Sequence, residues 1–163
     1  SRPSGVRRGG RSVANASGGV LTSQEVSGLI YMRQEEKLAR DVYRTLGETW
    51  NLPIFKTIAR AESRHMNAVG NLLTRYGIAD PVAKDIRGQF ADQRFTEMYR
   101  TLVASGSKSR ADALRVGVRI EELDIADLKD DLKSIRHDDI RVVYQKLLRG
   151  SQQHLRAFTS QLR

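Results

Sequence analysis

The sequence has no cysteine among its 163 residues. That absence excludes a disulfide framework, a thiolate-bound zinc or iron–sulfur site, and a cysteine nucleophile. It leaves the redox compartment open, because a cysteine-free chain is at home on either side of a membrane. No apolar run approaches the ~18 residues needed to cross a bilayer. The start of the sequence has no apolar signal core either. A cytoplasmic address is favoured over an exported form whose signal has been removed. Strand signals are nearly absent, and no repeat at a solenoid period is visible. Acidic residues are missing from residues 1–20, which hold Arg2, Arg7, Arg8 and Arg11, five glycines and almost nothing apolar. Such a stretch cannot bury enough surface to offset its ordering entropy, so it reads as a disordered basic arm.

The whole chain carries a formal charge of +9, a balance that points towards an anionic partner or surface. The four arginines of the arm account for nearly half of it and leave +5 on residues 21–163. Four arginines give only weak, salt-sensitive binding to nucleic acid. The helices show no recognition pattern, so nucleic acid is not an expected partner. At this length, residues 21–163 are expected to form one domain around a single core.

Helical periodicity is strong there. Thr22 with Glu25 is a capping-box pattern opening a first helix, expected to run to about Leu46 and stop at Gly47. Pro53 suits the first turn of a second helix ending at Tyr76 before Gly77. A short helix from about Asp92 to Ala104 follows a loop. Ser109 with Asp112 opens the third long helix, and Asp138 or Asp139 is expected to cap the fourth. Short connections make the first and second long helices antiparallel neighbours, and likewise the third and fourth. The crossover between the second and third is about 30 residues and carries the short helix. The expected fold class is therefore all-α, a ferritin-like four-helix bundle with one long crossover.

Each long helix has an apolar stripe interrupted near its middle by groups able to bind metal. The first stripe reads Leu29, Met32, Glu36, Ala39, Tyr43, Leu46, with Glu35 beside a flanking stripe as a weaker candidate. Arg33, Lys37, Arg40 and Arg44 fall on the opposite side, expected to be solvated. The second stripe contains Glu62 and His65, three apart and therefore on one face. In the third, Glu121 and Asp124 project inward and Glu122 is the second choice. In the fourth, His154 projects inward with Ser151 one turn before it.

Depth along the helices can be compared without coordinates. Glu36 lies 11 residues before Gly47, and Glu62 and His65 lie 9 and 12 residues after Pro53. At about 1.5 Å per residue, all three sit at one level, ~14–18 Å from the turn. The second hairpin aligns Glu121 with Ser151 and His154 in the same way. A single glutamate on a stripe has an ordinary explanation as a boundary or edge residue. Several carboxylates buried at one level without a cation would be strongly unfavourable. A divalent metal with mixed oxygen and nitrogen ligands is the natural compensation.

With these motifs the sequence resembles ferritin-like di-iron carboxylate proteins, and more narrowly a prokaryotic ferritin-like family catalogued as a domain of unknown function. The matching stretches are Tyr31-Met-Arg-Gln-Glu-Glu-Lys-Leu-Ala-Arg-Asp-Val-Tyr43, Ala61-Glu-Ser-Arg-His-Met66, Ile120-Glu-Glu-Leu-Asp-Ile125 and Leu148-Arg-Gly-Ser-Gln-Gln-His-Leu155. The segment Glu36-Lys-Leu-Ala-Arg40 is also similar to the first ligand helix of rubrerythrins. The resemblance implies Glu36, Glu62, His65, Glu121 and His154 as metal ligands, with Asp124 as an extra carboxylate. It further implies two iron ions, reaction with O₂ or H₂O₂, and an external electron donor. Nearby tyrosines such as Tyr43 could supply or relay electrons. The departure is Ser151, which stands where the pattern has a glutamate. That change leaves open one metal or two, and Mn²⁺, Zn²⁺ or Ca²⁺ in place of iron. A bundle holding redox-inert ions without turnover is the alternative function. Association into a homo-oligomer is also open.

Overall fold

The computed structural model describes residues 19–163; residues 1–18, most of the expected basic arm, lie outside the described residues. The chain is all-helical, with α1 (Ser23–Trp50), α2 (Pro53–Arg75), α3 (Gln93–Gly106), α4 (Arg110–Leu132) and α5 (Asp138–Gln161) among those residues. None of these helices is long and apolar enough to cross a membrane.

The start of α1 is fixed as its sequence suggests. Thr22 Oγ1 accepts from the Glu25 amide and Glu25 Oε1 accepts from the Thr22 amide, both at 3.0 Å. Glu25 Oε2 also accepts the amides of Arg136 and His137 at 3.1 Å, which ties this end of α1 to the α4–α5 turn. Gly47 does not end the helix. The chain stays helical to Trp50 and turns at Asn51, a non-glycine residue at φ 50°. What Gly47 provides instead is space: a Cβ there would lie 2.9 Å from Phe55 Cβ, so α1 and α2 approach closely beside their turn. At the fourth long helix the cap is His137, with Asp138 and Asp139 in the first turn. Asp139 there accepts the Tyr76 hydroxyl and pairs with Arg75 at 3.0 Å.

The long helices pack as α1 on α2 and α4 on α5, with α1 also touching α4 and α2 touching α5; α3 leans on α1 and α4. Their apolar residues form two clusters. One contains Leu38, Val42, Tyr43, Phe55, Ile58, Leu114, Ile120 and Phe158. The other contains Leu29, Met32, Val69, Leu72, Leu128, Ile140, Tyr144 and Leu147. Each long helix passes from one cluster to the other, and in every case the polar residues lie between. The order of passage makes α1 antiparallel to α2, and α4 antiparallel to α5. It makes α2 and α4 parallel, which is why a long crossover must connect them.

That crossover overturns one sequence expectation. Lys37 and Arg40 are not solvated: they are 1 % and 5 % exposed, and only Arg44 of the four basic residues is fully exposed. The segment 77–92 lies over them. Lys37 Nζ donates to the Ile86 and Gln89 carbonyls at 2.8 and 2.9 Å and pairs with buried Asp41 at 2.6 Å. Arg40 bonds Asp41 at 3.0 Å and also pairs with Asp85. Asp41 further accepts the Gly88 amide at 3.1 Å. Asp41→Ala would strip the shared carboxylate from two buried cations. Truncating one member of a buried ionic network costs about 3 kcal/mol or more, so urea midpoints should fall sharply.

Candidate metal centre

The polar layer between the two apolar clusters is built from four helices. Glu36, Glu62, His65, Glu121, Asp124 and His154 are all buried, none more than 9 % exposed. Glu122 is exposed, so α4 turns Glu121 and Asp124 inward together. Val118 and Ile125, which helical spacing would put on one stripe with Glu121, are only half-buried. The buried line instead runs through Ala113, Gly117, Ile120, Asp124 and Leu128, a rotation that brings Asp124 onto the inner face.

Two groups of ligand atoms form. Glu36, Glu62 and His65 offer atoms all within 4.8 Å of one another, and so do Glu62, Glu121 and His154. Glu62 belongs to both. His65 Nδ1 lies 3.3 Å from Glu36 Oε2 and 3.1 Å from Glu62 Oε2. His154 Nδ1 lies 2.8 Å from Glu62 Oε1 and 3.2 Å from Glu121 Oε1. The 2.8 Å approach lacks hydrogen-bond alignment, and Glu62 Oε1 has no hydrogen-bond partner. The imidazoles stack, with centroids 5.8 Å apart.

The carboxylates of this layer are poorly compensated. Glu36 Oε1, Glu62 Oε1, Glu121 Oε2 and Asp124 Oδ1 are buried with no hydrogen-bond donor. Burial, then the Glu62 charge, pushes the Glu36 carboxyl up to about 8. Burial likewise raises Glu121, and it raises Asp124 well above the carboxylate range together with the Glu36 and Glu62 charges. Burial would lower the imidazoles, yet the carboxylates around them push both His65 and His154 up to about 10. Burial also opposes ionisation of Glu62, but the adjoining Glu36 carboxyl and the neighbouring His154 and His65 imidazoles hold it below its ordinary value. Protons therefore occupy the positions where cations would neutralise the site. Four buried oxygens without donors, next to two imidazole nitrogens, fit a pair of divalent ions sharing Glu62.

Neighbouring groups orient the ligands. Tyr43, fully buried, donates its hydroxyl to Glu121 Oε1 at 2.8 Å and leaves Oε2 free. Ser151 donates to Asp124 Oδ2 and leaves Oδ1 free. The serine in the expected glutamate position thus holds a carboxylate from the facing helix. Gly150 has a role that periodicity alone did not suggest: a Cβ there would fall 2.6 Å from His65 Cε1. Because His65 is already held between Glu36 and Glu62, Gly150→Ala should displace the ring. Metal affinity should drop about ten-fold, the scale seen when a ligand's support is disturbed. Titration calorimetry alongside an unchanged far-UV spectrum checks this.

The sequence reading ranked Glu35 low, yet it is 1 % exposed and neither of its oxygens has a partner. Its position between two stripes hid it, because α1 is buried continuously over residues 34–43 and has no solvated face there.

Comparison with known proteins gives consistent matches. The family described as an uncharacterized protein domain, DUF2202, matches residues 25–163. The uncharacterized protein MJ0754 of Methanocaldococcus jannaschii is 51% identical over 142 residues, spanning 87% of this chain and 77% of its own length. The crystal structure of hypothetical protein MJ0754 from Methanococcus jannaschii aligns with a TM-score of 0.86 at 51% identity, covering 87% of this chain and 81% of the other. A DUF305 fragment from Deinococcus radiodurans shares the fold alone, at a TM-score of 0.60 and 16% identity over 86% of this chain and 96% of its own.

Proposed function

The chain belongs to the DUF2202 family, and we propose that it is a ferritin-like four-helix-bundle protein holding a di-iron centre that reacts with O₂ or peroxide. The observation that carries this reading is the sharing of Glu62 between two buried ligand groups. The helix directions and the long α2-to-α4 connection support it, since a bundle of this kind draws ligands from facing helices. Glu36 and His65 would complete one position, and Glu121 and His154 the other. Asp124 would supply the carboxylate that Ser151 does not. Bound iron would supply the electrons that reduce O₂ or H₂O₂, replenished by further Fe²⁺ or by an external donor.

The chain's own residues set the conditions. Glu36, His65 and His154 release protons to admit the cations, so affinity rises with pH. Tyr43 fixes the orientation of Glu121. Tyr43 also borders a surface cavity of about 710 Å³ together with Arg44, Lys56 and Arg60.

The test is aerobic Fe²⁺ oxidation followed by absorbance. The reconstituted protein should oxidise Fe²⁺ well above the buffer rate, and Glu62→Ala should remove the excess. A protein no faster than buffer, with Glu62→Ala indistinguishable from it, sinks the iron reading. Ser151 motivates a second reading, a bundle that binds redox-inert ions without turnover. Tight binding of Zn²⁺ or Mn²⁺ with no Fe²⁺ oxidation would select that one.

A further inference from the structure

A second set of acidic groups lies between α1 and α4, beside the paired ligand groups, with Asp124 at the junction of the two. On α4, Asp124, Asp127 and Asp131 are spaced three and four apart and so share one face. Glu35 projects towards them from α1. It is 1 % exposed and both of its carboxylate oxygens lack a partner. Asp127 Oδ2 and the Tyr144 hydroxyl are also buried without partners. The Glu35 carboxylate is in side-chain contact with Asp127. Asp131 is pushed up to about 6 by burial, then by Asp127 and Asp130. No basic side chain pairs with Glu35, whose two oxygens are both without a partner.

Outside this set is a cavity of about 370 Å³ lined by Gly28, Tyr31, Asp127, Asp130 and Asp131. Asp127 therefore faces both the cavity and Glu35, and Asp124 faces both Glu35 and Glu36. Gly28 keeps the mouth open: a Cβ there would sit 3.3 Å from the Tyr144 hydroxyl and 3.6 Å from Asp131 Oδ2. A buried carboxylate in contact with a half-buried one, with three of their oxygens buried and unpartnered, is unfavourable unless a proton or cation joins them. From this geometry we infer that Glu35 and Asp127 form an accessory divalent-cation site, lying on the route by which cations pass from the surface cavity to the paired centre. The site is separate from the centre and rests on the proposed di-metal reading only for the destination of the cation.

The experiment titrates Co²⁺ into the metal-free protein by calorimetry and follows loading by stopped-flow visible absorbance. Wild-type protein should show a tight phase and a further, weaker equivalent. Glu35→Gln with Asp127→Asn should lose the weaker equivalent, keep the tight phase, and load about ten-fold more slowly. Glu62→Ala should do the reverse, losing the tight phase and keeping the weaker equivalent. Asp131→Asn, at the half-buried mouth, should slow loading without changing the final stoichiometry. That variant keeps the idea testable if the double variant folds poorly. The inference is overturned if wild type has no weaker equivalent, if the double variant retains it, or if Asp131→Asn and the double variant load at the wild-type rate. A weaker equivalent lost in the double variant, with Glu62→Ala otherwise titrating as wild type, would instead uphold the accessory site and overturn the paired centre.

Discussion

Replacing Glu62 by alanine should abolish tight binding at both metal positions at once, weakening each by about a hundred-fold or more. Glu62 is fully buried and is the one residue common to the two ligand groups. Its Oε2 faces His65 and its Oε1 faces His154. Removing the carboxylate therefore takes a ligand from each position. Replacing a histidine should behave differently. His154→Ala strips only the group shared with Glu121, so one tight equivalent should survive. The contrast separates a bridging role from simple loss of fold, because both variants disturb the same buried layer. Calorimetric titration with Mn²⁺ reads it directly. Equal losses in the two variants would mean that Glu62 is not shared.

Stability should depend on pH in opposite ways with and without metal. In the metal-free protein, Glu36 sits at about 8 against an ordinary 4.5, and His65 and His154 at about 10 against 6.5. Each raised group holds its proton more tightly in the folded state. Its stabilising contribution is complete below the unfolded value and is lost as pH rises to the folded one. The loss runs from pH 4.5 to about 8 for Glu36, and from 6.5 to about 10 for the histidines. Glu62 is held low and acts oppositely, losing its contribution only as pH falls below the carboxylate range. Each group contributes about 1.4 kcal/mol per pH unit within its window. In chelator, Tm should therefore fall by about 20 °C or more between pH 6 and pH 9. Saturating Mn²⁺ displaces those protons and should hold Tm nearly level, so the gap widens with pH. Thermal melts with matching slopes in both conditions would contradict this.

Much of the site could be read from residue spacing. Glu62 and His65, three apart between apolar turns, had to share a face, and counting from Pro53 and Gly47 put Glu36 at their level. The count worked although Gly47 does not end α1, because Asn51 closes the helix only one turn later. Burial of Lys37 and Arg40 was not legible. Their partners Asp85, Ile86 and Gln89 come from a crossover nearly 50 residues away, and no helical wheel contains them. Glu35 was obscured for the same reason: once the crossover covers the outer side of α1, inner and outer faces are both buried. The His137 cap was hidden because its anchor is the distant Glu25. Local patterns placed the buried carboxylates and imidazoles; long-range pairing decided what surrounds them.

The most direct test is elemental analysis of the protein after supply of Fe²⁺ and removal of loosely held ions by gel filtration. The account predicts about two metal ions per chain, as expected for a shared-carboxylate pair, and close to none in Glu62→Ala. A trace of metal in the wild type, or a stoichiometry that Glu62→Ala leaves unchanged, would contradict it.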